Sequence, residues 1–242
     1  MPIADEHRGP ARPRRALIVG ASRGLGLGLV ARLLERGWAV TATVRRPSVA
    51  LDALARRDDH AGLRVEAGID IDDDAAVAAL RSRLDGEPPF DLLFVVAGVA
   101  TQAGTPLSQL SREVAGSVFQ TNAVSPIRFA DAFGRRVAPG GLVAFMSSRL
   151  GSVSLNQGGG WESYRASKAA LNMLARSFAG RHGKAGWGVV LMHPGWVRTD
   201  LGGRRATLDV ETSARGIVAV LEGRLGQRGC VFVDYKGEIL PW

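Results

Sequence analysis

A tyrosine and a lysine stand four residues apart in Tyr164-Arg165-Ala166-Ser167-Lys168. On a helix four residues make about one turn, so both side chains share a face. A phenol with a pKa of about 10 is a poor acid or base near neutrality. A nearby ammonium favours the phenolate and draws that pKa toward the working range. Such a phenol can protonate a carbonyl oxygen while hydride arrives at the carbon. Alone, this spacing also describes an ordinary surface helix. It gains weight from a glycine-rich turn far upstream, Gly20-Ala21-Ser22-Arg23-Gly24-Leu25-Gly26.

That turn follows the apolar run at 16–19 and opens a helical pattern, the context in which a glycine loop holds a pyrophosphate. Missing Cβ atoms admit the phosphates closely, and the helix N-terminus supplies free N–H groups. The spacing, Gly-x-x-x-Gly-x-Gly, is longer than the GxGxxG fingerprint. A carboxylate at the end of the second strand would hold the free ribose 2′-hydroxyl of NAD. This chain has Val44-Arg45-Arg46-Pro47 there, and Arg23 adds charge in the turn. A guanidinium matches a 2′-phosphate by paired hydrogen bonds. The expected cofactor is therefore NADP(H), with Arg23 and Arg45 as contacts and one of Arg45 and Arg46 free to face water.

The elements that must position these groups alternate along the chain. Strand-like runs at 16–19, 39–44, 63–67, 92–96, 142–146, 188–192 and 230–233 are separated by helical patterns. The helices are expected from Leu25 to a stop at Gly37, then at 50–57, 73–84, 111–122, 126–137 and 163–181. This alternation predicts an α/β fold: one Rossmann-type doubly wound domain over 15–242, with a seven-stranded parallel sheet and helices on both faces. Residues 1–14 read as a flexible basic tail. The irregular stretch 151–161, with Gly158-Gly159-Gly160, falls at the C-terminal edge of the sheet, where open α/β sheets bind ligands.

Composition narrows the classes. In 242 residues no apolar run approaches a membrane helix, and the N-terminus lacks the apolar core of a secretory signal, so a soluble cytoplasmic protein is expected. The single cysteine, Cys230, excludes an intrachain disulfide, and His7, His60, His182 and His193 lack metal-ligand spacing; no metal is expected. The net charge of +8 comes from scattered arginines, which on helices usually form a solvated face. Neither a nucleic acid nor a membrane is an expected partner.

In this order the motifs resemble the short-chain dehydrogenase/reductase family over nearly the whole chain. The glycine turn looks like the family's cofactor turn and Asp70-Ile71 like its adenine contact. Ala97-Gly98 looks like the end of its Asn-Asn-Ala-Gly motif, and Asn122 falls at its helix asparagine. Ser147-Ser148 with Gly151 resembles the catalytic-serine segment, Tyr164 and Lys168 the catalytic pair, and Pro194-Gly195-Trp196-Val197-Arg198-Thr199 the segment over the nicotinamide. Ser147 to Ser152, the run from Tyr164, His193 to Asp200 and the ending Pro241-Trp242 look most like sniffer-type carbonyl reductases and C-factor-like bacterial proteins.

The resemblance implies that Tyr164 is the proton donor in reduction and the base in oxidation. Lys168 would lower its pKa and hold the nicotinamide ribose, Ser148 would orient the substrate oxygen, and Asn122 would hold a water linking Lys168 to solvent. Implied cofactor contacts are Gly20, Ser22, Arg23, Gly24, Leu25, Gly26, Arg45, Asp70, Ile71, Ala97, Gly98, Tyr164, Lys168, Pro194, Gly195, Val197 and Thr199, the last anchoring the carboxamide. Val95 and Val96 depart from the family's two asparagines, Val19 replaces a common threonine, and Ser148 lies unusually far before Tyr164. Ser147 and Ser152 therefore remain alternatives to Ser148.

The substrate pocket is expected to be lined by the loops 151–161 and 100–105 and by the segment after Thr199. Ser148 and Tyr164 would face it, with Trp161 and Trp196 as apolar walls. No charged residue clearly marks a carboxylate or amine substrate. The expected activity is NADPH-dependent reduction of an aldehyde or ketone, with alcohol oxidation by the same residues as its reverse. A dinucleotide-binding regulatory or C-factor-like signalling protein with little turnover is the alternative. A homodimer or homotetramer through the helices around Asn122 and Tyr164 is the implied assembly.

Overall fold

The computed structural model describes residues 12–57 and 62–242. The expected tail lies outside the described residues up to position 11. Beyond it, Arg12 is paired with Asp91 at 3.1 Å. Seven strands form one parallel sheet: β1 (Arg15–Val19), β2 (Ala39–Val44), β3 (Leu63–Ala67), β4 (Phe90–Val95), β5 (Val137–Met146), β6 (Gly188–His193) and β7 (Gly229–Asp234). Their spatial order is β3-β2-β1-β4-β5-β6-β7. The order reverses between β1 and β4, which opens a crevice at their carboxyl ends.

Period-two alternation divides each strand between two cores. Ile18 and Phe94 face one side, packed with Leu29 and Leu33 of α1 (Gly24–Glu35). Leu17, Val19, Leu93 and Val95 face the other. There they meet Phe129 of α5 (Ser125–Phe133) and Phe178 of α6 (Glu162–Arg181). Two smaller helices, α2 (Val49–Ala55) and α3 (Asp74–Arg83), each contribute one buried leucine, Leu51 and Leu80. Both faces of the sheet are thus apolar, as the unbroken run in β4 requires.

Three expectations need correction. The helix α7 (Val210–Arg224) was not among the expected elements, although Ala214, Ile217, Val218 and Leu221 have helical spacing and are buried against α1. Asp209 caps it by accepting from the Thr212 N–H at 2.7 Å. The helix expected to reach 137 stops at Phe133, and β5 begins at Val137. Its register with β4 shifts between the Phe90–Val137 and Leu92–Leu142 pairs, where Pro139, Gly140 and Gly141 form the irregular segment. Finally, α4 (Arg112–Phe119) runs into α5 through a π-helical turn at Gln120–Val124. Pro126 has no N–H to offer the Asn122 carbonyl, which accounts for a wide turn at this point. No described helix is long and apolar enough to cross a membrane.

Candidate active site

The glycine turn is shaped by contacts that a side chain would block. Gly20 has φ +91°, and a Cβ there would lie 2.9 Å from Ala97 backbone. A Cβ on Gly26 would lie 2.1 Å from the Gly20 carbonyl oxygen. The Thr43 carbonyl accepts from the N–H groups of both Gly20 and Ala21, tying the turn to the end of β2. No side chain caps the first turn of α1, and no acidic residue lies in it. Its N–H groups and positive dipole end are therefore open to an anion. Arg45 leaves the end of β2 and reaches Asp70 at 3.6 Å, while Arg23 reaches Asp200 at 2.6 Å. Arg45, Arg23 and Asp200 are largely exposed and Asp70 is half-exposed, so the pairs are weak and easily exchanged for another anion.

Tyr164 and Lys168 lie one turn apart on α6, facing the end of β5, and are only 6% and 3% exposed. Ser148 faces the Tyr164 phenol across the cavity wall. Ser147 is turned away and donates to Asn172 Oδ1 at 2.6 Å. Ser152 accepts from the Leu155 N–H at 3.2 Å. Of the three serines that the sequence left open, Ser148 is the one placed on the tyrosine. Gly151 closes the turn behind it, where a Cβ would meet Lys168 backbone at 2.8 Å.

The expected electrostatics are reversed. Burial pushes the Tyr164 phenol up to about 12, with nearby Ser148 opposing it. Burial also pushes Lys168 down to about 8. The lysine ammonium donates to the Met146 carbonyl at 2.9 Å and lies 5.8 Å from the Tyr164 ring centre. In this arrangement desolvation, which disfavours both charged forms, outweighs any pull of lysine on tyrosine.

Asn122, in the π-helical turn, is fully buried. Its Oδ1 accepts from the Val99 N–H and its Nδ2 donates to the Val99 carbonyl, both at 2.8 Å. Nδ2 also donates to Ser167 Oγ at 3.0 Å. Asn122 thus clamps the chain leaving β4, just beyond Val95 and Val96, where the two asparagines of the resemblance are missing. Gly98 fits between Asn122 and Lys168, where a Cβ would be 3.2 Å and 3.3 Å from their polar atoms.

A cavity of about 1110 Å³ joins these features. It extends from the glycine turn and Arg45, past Tyr164 and Lys168, to Trp161 and Trp196, and every expected cofactor and pocket residue lines it. Asn122 sits behind its wall. The 100–105 loop does not line it, and of the 151–161 loop only Trp161 does, both contrary to expectation. The end of β7 and the turn after it line the cavity instead, through Asp234, Tyr235 and Glu238. Arg149 and His193 also line it and were not singled out from sequence as site residues. His193 is pushed down to about 4 by burial and the Arg149 charge, with Asp234 opposing. Trp161 has a left-handed backbone (φ +52°) and its ring stands edge-on to Tyr164 at 5.8 Å. Trp196 donates from Nε1 to the Gly202 carbonyl, pinning the segment after β6.

A doubly wound sheet with a glycine cradle at its switch point and a serine–tyrosine–lysine group beside it defines a dinucleotide-binding oxidoreductase fold and site. The sequence profile of the short chain dehydrogenase family matches residues 14–208, and the chain belongs to that family. Among curated proteins it is similar to C-signal of Myxococcus xanthus, 39% identical over 156 residues, covering 64% of this chain and 93% of that protein. Among solved structures it is similar to a carbonyl reductase from Pseudomonas aeruginosa PAO1 in complex with NADP, at TM-score 0.87 and 43% identity, covering 95% of this chain and 100% of the other. The carbonyl reductase Sniffer of D. melanogaster superposes with TM-score 0.84 at 31% identity, over 96% of this chain and 100% of the other.

Proposed function

We propose that the protein reduces an aldehyde or ketone to an alcohol with NADPH. The carrying observation is the placement of Ser148 and Tyr164 together on the cavity wall, with Lys168 buried one helical turn away. The cleft suits the dinucleotide, because a Cβ at Gly20 or Gly26 would fill the cradle and the first turn of α1 is uncapped. Bound there, NADPH supplies the hydride. The first-turn N–H groups would hold the pyrophosphate, and Arg23 and Arg45 would exchange their carboxylates for the 2′-phosphate. Asp70 and Ile71 would take the adenine, and Thr199 the carboxamide. Ser148 and Tyr164 grip the substrate oxygen, and Tyr164 gives up its proton as charge develops there. Lys168 stabilises the resulting phenolate, and Asn122 keeps the wall behind the lysine in place. The NADP-bound Pseudomonas carbonyl reductase and Sniffer support this reading.

The assembly in this reading is a cytoplasmic homodimer or homotetramer. Phe119 on α4 and Met173 on α6, both well exposed, would lie in its interface. The likeness to C-signal favours a second reading, a regulatory protein that binds dinucleotide with little turnover. Titration with NADPH and NADH by nicotinamide fluorescence, followed by a panel of aldehydes, ketones and quinones, separates the two. Tighter NADPH binding with carbonyl-dependent oxidation supports the reductase. Tight binding without turnover on any member moves the assignment to the second reading, and tighter NADH binding refutes the cofactor.

A further inference from the structure

The cations around the cavity differ in what they already hold. Arg23 and Arg45 are paired with Asp200 and Asp70. Lys168 donates to the Met146 carbonyl, and Arg165 donates from Nε to the Gly160 carbonyl. Lys236 lies over the ring of Tyr235. Arg149 is different: its exposed guanidinium has no hydrogen bond or ion pair among the described residues, yet it lines the cavity. It directly follows Ser148, in a short 3-10 turn whose first N–H bonds are closed by the Ser148 hydroxyl and carbonyl. The base of this side chain is therefore fixed to the residue that holds the phenol.

Its surroundings do not neutralise it. His193, beside it, is held neutral by burial and by the Arg149 charge itself. The carboxylate of Asp234 faces the same histidine, but its Oδ1 accepts from the N–H groups of Lys236 and Glu238 and so is tied to the turn after β7. Glu238 also lines the cavity, but neither acid comes within ion-pair distance of Arg149. A planar fork of donors, open to the cavity and unmatched by protein, suits a carboxylate better than any neutral group.

Resting on the carbonyl-reductase reading, we propose that Arg149 is a substrate-binding residue that selects carbonyl compounds carrying a carboxylate. The carbonyl oxygen lies on Ser148 and Tyr164 and the acid group turns toward Arg149, away from the glycine turn. Neutral His193 lines that end without adding charge.

The test uses a matched pair, 4-carboxybenzaldehyde and its methyl ester, with NADPH and the whole chain. For the wild type, kcat/KM for the acid should exceed that for the ester by about tenfold, the size of one charge-assisted hydrogen bond open to water. The ratio should fall toward one in Arg149→Gln and return in part in Arg149→Lys. It should also fall with added salt in the wild type, a readout that needs no variant. An ester reduced as well as the acid by the wild type, or a ratio unchanged in Arg149→Gln, overturns the role of Arg149 and leaves the reductase standing. No NADPH oxidation on either compound, with turnover elsewhere on the aldehyde and ketone panel, overturns this inference alone; no turnover on the whole panel overturns the reductase reading, and this inference with it.

Discussion

Replacing Asn122 by alanine tests whether this residue is a structural clamp as well as part of the active site. The side chain makes three hydrogen bonds: two with Val99 backbone and one with Ser167 Oγ. The partners do not lose equally. Ser167 still donates to the Tyr164 carbonyl at 2.8 Å, so its hydroxyl keeps one bond. Val99 is only half-buried, and water can reach part of what alanine abandons. At roughly 1 kcal/mol per bond the loss is about 3 kcal/mol. For a chain of this size that lowers the unfolding midpoint by about 6–12 °C. Differential scanning calorimetry of wild type and Asn122→Ala at pH 7 measures it. Asn122→Asp sharpens the result, since it can accept from the Val99 N–H but cannot donate to the Val99 carbonyl, and it buries a charge. It should be no more stable than the alanine variant. A midpoint within about 2 °C of wild type in Asn122→Ala, with turnover abolished, would refute the clamp and leave a purely catalytic role.

Gly26→Ala should weaken NADPH binding at least tenfold by fluorescence titration, because its Cβ would stand 2.1 Å from the Gly20 carbonyl and the turn must move. Arg45→Ala should narrow the preference for NADPH over NADH by about tenfold in Kd, the loss of one guanidinium–phosphate contact. Lys168→Met should remove turnover while changing the pH dependence of stability. The lysine's folded pKa, about 8, lies below its ordinary 10.5, so its contribution is present above pH 10.5 and is lost as pH falls through about 8. Denaturation midpoints of wild type should therefore gain on those of Lys168→Met between pH 8 and 10.5; parallel curves would contradict the burial of the charge. Tyr164→Phe should lose turnover and keep NADPH affinity, with both read from the same fluorescence and oxidation assays.

The parts of the fold that can be read from sequence are those with unbroken local signals. β2 and β3 run over the expected residues: Ala39–Val44 is apolar or β-branched and is followed by Arg45, and Leu63–Ala67 alternates apolar and charged residues between Gly62 and Gly68. The first half of β5 is hidden, since Pro139, Gly140 and Gly141 look like a loop and fall at the register shift, between the Val137 and Leu142 pairings with β4. The period of α7 is visible in Ala214, Ile217, Val218 and Leu221, and applying the same spacing rule past Thr199 would find it. The cofactor side of the site is legible because it is built from turns contiguous in sequence. The substrate side is not. Asp234 and Glu238 reach the cavity only because β7 pairs with β6, placing Asp234 beside His193. The 100–105 loop, although next to Gly98, turns aside and buries Ala103. The direction of the Tyr164 shift was equally out of reach, since sequence gives the spacing to Lys168 but not the depth at which both are buried.

That depth bears on how the proposed chemistry starts. Reduction needs a phenol that still carries its proton, and oxidation needs one that has lost it. With Tyr164 raised to about 12, the protonated form dominates across the physiological range. A site tuned only by a close ammonium would hold more phenolate and would have less proton to give. Here the lysine is bound to the Met146 carbonyl, and its own charge is disfavoured by burial. The negative charge that appears on the tyrosine oxygen after proton transfer is what makes the lysine charge favourable in turn. Ser148 contributes at the same moment, because a hydrogen bond to the phenol is worth more once the oxygen is charged. The lysine charge is therefore already present when the tyrosine oxygen becomes negative, and the two charges then stabilise each other. This couples stabilisation to the transfer step rather than to the resting state, which is the condition for an interaction to accelerate a reaction.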